Sequence, residues 1–197
     1  MIQVLVVYYS QQGSTRDMAV EIAAGIENVV GCEAVIRTVP SVSSEVESIS
    51  TSIPESGDPY VELSDLKDCS GLALGSPTRF GNMASAMKYF LDSTSSIWLG
   101  GELEGKPASV FTSTSSLHGG QESTLLTMMV PLLHLGMVIS GVPYSVAAMA
   151  NTKSGGTPYG ASHWNPAEKA VVLSDEEKKI CQAQGKRLAQ LAIKLSD

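Results

Sequence analysis

Residues 2–15 read Ile2-Gln3-Val4-Leu5-Val6-Val7-Tyr8-Tyr9-Ser10-Gln11-Gln12-Gly13-Ser14-Thr15. The apolar, β-branched run over 2–8 stops at a short polar loop. Residues 16–27 then take up helical spacing, with Met18, Ala19, Ile22, Ala23 and Ile26 on one stripe. Strand, loop and helix in this order put backbone N–H groups and hydroxyls at a helix N-terminus, where partial charges hold a phosphate. The loop has one glycine and no lysine, so it matches neither the Walker A pattern nor the G-x-G-x-x-G dinucleotide fingerprint. A mononucleotide held by neutral donors is the ligand this predicts. An ordinary N-cap from Ser14 or Thr15 accounts for the same residues.

The 197 residues suit one domain with an ample core. With 20 acidic against 13 basic side chains, the formal charge of −7 repels nucleic acid and anionic membranes, so no nucleic-acid partner is expected. Cys32, Cys69 and Cys181 are odd in number and lack C-x-x-C spacing, which predicts neither a disulfide framework nor a zinc site. No His or Cys cluster has metal-ligand spacing, so no metal is expected. The first apolar run has no basic leader and is far shorter than the ~20 residues of a membrane span. A soluble, unprocessed, cytoplasmic chain is the expectation.

Short apolar runs recur at 2–8, 34–39, 71–74, 108–111 and 137–142, each bounded by Gly, Pro or Ser, and predict five buried strands. Helical stripes lie between them: Met83, Met87, Phe90 and Leu91, then Leu125, Met128, Met129 and Leu132. Strands alternating with helices predict an α/β fold, a doubly wound parallel sheet with helices on both faces. Pro131 should kink or divide the helix that contains it. Ser174 and Glu177 have capping-box spacing ahead of a last helix carrying Ile180, Gln184, Leu188, Leu191 and Leu195. Residues 41–63 and 143–172 match no regular element and read as surface insertions on a single domain over 1–197. Loops longer than about 12–15 residues are usually functional or disordered.

In such a sheet, ligands bind beyond the C-terminal strand ends, near the switch in strand order. The unusual loops follow strands one, three and four. After strand one, Ser10, Gln11, Gln12, Gly13, Ser14 and Thr15 offer hydroxyls and a glycine for close backbone approach. After strand three come Ser76, Pro77, Thr78, Arg79, Phe80, Gly81 and Asn82. There Pro77 fixes φ, Gly81 permits left-handed geometry, Phe80 offers an apolar surface for a flat ring, and Thr78 and Asn82 supply hydrogen bonds. A rigid turn with Asn82 capping a helix and Phe80 in the core fits the same residues. After strand four, Ser113, Thr114, Ser115, Ser116, Leu117, His118 and Gly119 form a small polar loop able to follow a ligand edge. Three such loops at one sheet edge argue for a shared ligand.

The Y-Y-S-x-x-G start, the G-S-P-T-R-F-G-N loop, the F-T-S-T segment ending in G-G-Q-E, L-L-H-L-G-M and G-G-T-P-Y-G-A together resemble the WrbA family of flavodoxin-like NAD(P)H:quinone oxidoreductases. The likeness spans nearly the whole chain. It implies a flavodoxin-like three-layer sandwich and FMN as cofactor. NADH or NADPH would act as transient co-substrate, a quinone as electron acceptor, and the assembly would be a homotetramer. Residues 10–15 would then hold the FMN phosphate. Pro77, Thr78, Arg79, Phe80, Gly81 and Asn82 would contact the ring system, with Ser113 to Gly119 lining its other side. His134 matches the family's flavin-contacting histidine, a positioned donor where the reduced ring carries negative charge. Trp98 matches an aromatic near the substrate face; a core or interface anchor is its alternative.

Two departures stand out. Gln12 occupies a position where many members carry an aromatic that touches the nicotinamide cofactor. Residues 115–118 replace a glycine-richer run and make that loop one residue longer. The resemblance implies ping-pong turnover, the dinucleotide and the quinone visiting one open face in turn. A flavodoxin-type FMN electron carrier without turnover of its own shares the same fold and cofactor.

Overall fold

Along β1 (Ile2–Tyr8), Val4, Val6 and Tyr8 point into one hydrophobic cluster while Leu5 and Val7 point into a second on the opposite side. A strand covered on both faces reads as an unbroken apolar run rather than an alternating one. The structure, a computed structural model, describes residues 1–42, 57–166 and 171–196. In chain order, β1 is followed by α1 (Ser14–Glu27), β2 (Cys32–Thr38), α2 (Leu63–Asp68) and β3 (Gly71–Pro77). Next come α3 (Ser85–Asp92), α4 (Ser95–Leu99), β4 (Pro107–Thr114) and α5 (Gln121–His134). The chain ends with β5 (Val138–Ile139), α6 (Ala147–Asn151), β6 (Ala161–Trp164) and α7 (Asp175–Leu195).

The sheet runs β2-β1-β3-β4-β5 with every pairing parallel, so the order reverses between β1 and β3. The stripe of Met18, Ala19, Ile22 and Ile26 on α1 joins Ile180, Cys181, Leu188 and Ala192 of α7 over one face. Met87, Phe90, Leu91, Leu125, Met128 and Leu132 cover the other, as the helical spacing predicts. The first layer depends on close approach between its helices. A Cβ on Gly25 would sit 2.0 Å from the Gln182 carbonyl oxygen, and one on Gly185 would sit 2.0 Å from that of Ile22.

The fifth strand position differs from the expected run over 137–142. It is shared by two strands: β5 pairs with Pro107 and Ala108 at the start of β4, and β6 pairs with Phe111 to Thr114 at its end. The stretch over 143–172, expected as a surface insertion, therefore contributes an edge strand in which Ala161, Ser162 and His163 are buried. Side chains of α7 explain why. The Gln184 amide oxygen accepts the Ala161 N–H at 2.6 Å, while its nitrogen donates to the Val110 carbonyl at 3.0 Å and to Ser109 Oγ at 3.1 Å. One buried amide thus ties β6 to the face of β4.

Glu177 does the same at the strand end. Its carboxylate accepts the N–H groups of Gly155 (2.9 Å) and Ser174 (2.8 Å) and lies 3.0 Å from His163 Nδ1. Burial alone raises this carboxyl, but the hydrogen bonds from His163, Ser174 and Gly155, with the charge of His163, outweigh it and hold the group below the usual 4.5. The Ser174–Glu177 capping box forms as its spacing predicts.

α5 runs undivided through Pro131, so of the kink or division expected there the division does not occur. Thr127, whose carbonyl lacks the N–H donor that Pro131 cannot supply, lines an open hollow together with it. The expected insertion over 41–63 lies mostly outside the described residues; at its end Tyr60 bridges to Thr38, and Leu63 opens α2. All three cysteines are free and buried, and burial pushes the Cys69 thiol up to about 11.

Candidate functional site

The loop between β1 and α1 ends at Gly13, whose φ of 93° is open to glycine at little cost. Gly13 is the N-cap, and no side chain caps α1, so the hydroxyls of Ser14 and Thr15 are directed elsewhere. Ser10 Oγ accepts the Gly13 N–H at 3.0 Å, which folds the loop back on itself. Thr15 Oγ1 lies 3.0 Å from Ser113 Oγ at the end of β4, and Ser14 Oγ accepts from Asn165 Nδ2 at 2.7 Å. These contacts gather the loops after β1 and β4 around a cavity of about 250 Å³. Ser10, Gln11, Gln12, Ser14 and Thr15 form one wall; Pro77, Thr78 and Arg79 form a second; Ser113, Thr114, Ser115 and Asn165 complete it. Among the described residues, Arg79 is the only ionisable side chain in that lining. Hydroxyls, uncapped helix N–H groups and one guanidinium, with no carboxylate among the described residues, make a donor set that fits a phosphate.

The loop after β3 is a tight reversal. Arg79 N–H donates to the Asn82 carbonyl at 2.7 Å and Asn82 N–H returns to the Arg79 carbonyl at 3.0 Å. Phe80 and Gly81 between them have φ of 51° and 79°, both left-handed, the geometry of a type I′ turn. Phenylalanine is costly at such a position, and its ring stands fully exposed rather than in the core. Asn82 does not cap α3 either: its side-chain oxygen accepts the Met83 N–H at 2.8 Å, and Ser76 Oγ accepts that of Ala84 at 2.8 Å. The Arg79 guanidinium donates to Gln11 Oε1 at 2.6 Å and to the Thr78 carbonyl at 2.8 Å.

Gln11 and Arg79 also border a second, larger hollow of about 980 Å³. Its floor and sides include Tyr9, Met83, Ala84, Val130, Pro131 and His134, with Asn82 at its edge. A third hollow of about 270 Å³ shares Lys88, Pro131 and His134 with it and adds Trp98. The Trp98 and His134 rings lie 6.1 Å apart at a tilt of 53°. The two ends of the site thus differ in character: polar donors line one, whereas the other exposes mostly apolar surface, with Ser85, Lys88, Thr127 and His134 among its polar members.

Most predicted residues of the loops over 10–15 and 77–79 meet at the polar cavity, as do Ser113 to Ser115. Ser116, Leu117, His118 and Gly119 line none of the three hollows; Leu117 is exposed and His118 has a φ of 60°. Sequence reasoning missed Asn165, Tyr9, Met83 and Lys88. The last three flank recognised motifs, whereas Asn165 carried no motif. Among the described residues, no group of three or more His, Cys, Asp or Glu side chains is placed to hold a metal.

A parallel sheet ordered 2-1-3-4-5, with an anion cradle at its switch point and an apolar hollow beside it, defines a flavodoxin-like protein. A family model described as NADPH-dependent FMN reductase matches residues 2–152. Two relatives named NAD(P)H dehydrogenase (quinone) are each 41% identical over 98% of both chains, one from Geobacter sulfurreducens and one from Syntrophobacter fumaroxidans. Among solved structures, a flavodoxin, WrbA-like protein from Agrobacterium tumefaciens superimposes with a TM-score of 0.68 at 20% identity, over 99% of each chain. An archaeal flavodoxin gives 0.64 at 19% identity, over 98% of this chain and 99% of its own. The chain belongs to the NADPH-dependent FMN reductase family and is an oxidoreductase.

Proposed function

We propose that this protein is an FMN-dependent NAD(P)H:quinone oxidoreductase that reduces quinones by two electrons in a ping-pong cycle. The observation that carries the reading is the polar cavity opening, past Arg79 and Gln11, beside an apolar hollow bordered by His134. The names of the 41% identical relatives support the reaction and the substrate class. FMN, when bound, supplies the redox chemistry. The chain's own residues bind and orient. Ser10, Ser14, Thr15 and Ser113 offer hydroxyls to the phosphate, and the loop over 77–82 meets the ring system. Arg79, fixed by Gln11 and by the Thr78 carbonyl, adds positive charge between the two hollows. His134 offers a ring N–H at the rim of the larger one.

The larger hollow takes the nicotinamide and the quinone in turn, because it is open and most of its exposed surface is apolar. Trp98, half-exposed beside His134, provides a flat wall for the quinone. Leu126, Val130 and Leu133 are exposed along one face of α5 at i, i+4 and i+7, next to exposed Trp98 and Leu99. This stripe supports assembly as a homotetramer that walls the hollow. No helix among the described residues is long and apolar enough to cross a membrane, and we infer a cytoplasmic enzyme. The test is NADH or NADPH oxidation by the purified, FMN-loaded protein with and without benzoquinone. Quinone-dependent oxidation is expected. A protein that retains FMN but shows no quinone dependence is a carrier instead, and one that retains no FMN overturns the reading.

A further inference from the structure

Asn165 lies just past β6, and its own N–H donates to the Thr114 carbonyl at 2.8 Å, so the sheet ladder fixes its backbone. Its side chain is fixed as well. Val171 N–H donates to Asn165 Oδ1 at 2.8 Å. A backbone N–H can only donate, so the amide cannot be flipped: oxygen faces Val171 and nitrogen faces Ser14. The amide nitrogen is also a pure donor, and it lies 2.7 Å from Ser14 Oγ. Ser14 must therefore accept there, and its own proton is left to go elsewhere. Both Ser14 and Asn165 line the polar cavity. A hydroxyl that already accepts a hydrogen bond donates a stronger one, because successive bonds polarise each other.

His163, two residues earlier, keeps this chain of bonds rigid. Its Nδ1 is 3.0 Å from the Glu177 carboxylate and its Nε2 is 3.0 Å from the Val171 carbonyl. The ring therefore ties β6 to the residue whose N–H orients Asn165.

We propose that Asn165 is a positioning residue that makes Ser14 an obligate hydrogen-bond donor to the phosphate of FMN. The inference rests on the FMN reading above and accounts for a phosphate-binding loop over 10–15 that contains no lysine. Donor direction is set by a relay, Val171 to Asn165 to Ser14, that begins at a backbone N–H and ends in the cavity. The effect is specific to the phosphate, since nothing in the relay reaches the ring system's side of the site.

The test compares dissociation constants of FMN and of riboflavin, which lacks the phosphate, by flavin fluorescence. The proteins are the parent, N165A, S14A and the double variant. FMN binding is expected to weaken about tenfold in N165A, as loss of one charge-assisted hydrogen bond implies, with riboflavin binding unchanged. Adding N165A to S14A should cost nothing further. N165D keeps the shape and the acceptor for Val171 but forces Ser14 to donate to the new carboxylate, and should weaken FMN by about a hundredfold. Because the carboxylate also repels the phosphate directly, N165D is compared with N165D in the S14A background, and this pair replaces N165A if that variant fails to fold: loss carried through Ser14 disappears there, whereas a loss that persists is direct repulsion and overturns the relay. Equal losses of FMN and riboflavin, unchanged FMN affinity, or additive losses in the double variant would overturn the proposal while leaving the FMN reading intact. A parent protein that binds neither flavin would overturn both.

Discussion

The two ends of the site are built differently. At the polar end, Ser10, Ser14 and Thr15 each have a named hydrogen-bond partner before any ligand arrives, and Asn165 is held from both sides. At the apolar end, Phe80 is fully exposed, Trp98 and Val130 are largely so, and the hollow is four times the volume of the cradle. Preorganised donors bind one ligand tightly and keep it, because their ordering costs were met on folding. An open apolar hollow with few fixed partners lets flat molecules enter and leave. Retention at one end and exchange at the other is the division of labour a resident cofactor with visiting substrates requires.

The comparison breaks most completely if the cradle's charge is inverted. Ser14→Asp puts a carboxylate where a phosphate would be received and should raise the FMN dissociation constant by two to three orders of magnitude, with riboflavin affected little. Next in size is the support behind the cradle. Glu177→Gln removes a buried carboxylate that several donors share, and should cost about 3 kcal/mol in urea unfolding at neutral pH. Its native carboxyl sits below the ordinary 4.5, so its stabilisation is present above that pH and is lost as the pH falls through the lower native value. The gap between parent and variant should therefore shrink as the pH falls below 4.5.

At the open end, His134→Ala should slow quinone-dependent turnover by about ten- to a hundredfold while weakening FMN much less than Ser14→Asp does. Unchanged turnover and unchanged cofactor retention would remove His134 from the site. A smaller effect on the chemistry, though a clear one on assembly, is expected from Val130→Asp with Leu133→Asp. Light scattering should show loss of the tetramer; a tetramer that persists would free the α5 stripe from that role.

How much was legible in the sequence follows the same division. The strand, loop and helix over 2–27 were readable because each signal is local, and the three loops converge because parallel strands all end at one edge. The split fifth strand was not. β6 is four residues long with polar Ser162 and His163 inside it, and it is held by Gln184 and Glu177 of α7, which periodicity cannot connect to it. Asn165 was hidden for the same reason, since its role depends on Ser14 lying 151 positions away. Of the two readings of Phe80, the core one fails: its turn has a left-handed backbone, invisible to composition, and its ring stands fully exposed. Pro131 was expected to kink or divide α5; the helix is not divided, and the turn that loses its hydrogen bond borders an open hollow.

The division between a retained cofactor and exchanging substrates is tested most directly by initial velocities of the FMN-loaded protein, varying NADH or NADPH at several fixed benzoquinone concentrations. If one hollow serves both substrates in turn, double-reciprocal plots form parallel lines. Lines that intersect require both substrates on the protein together and would contradict the shared hollow.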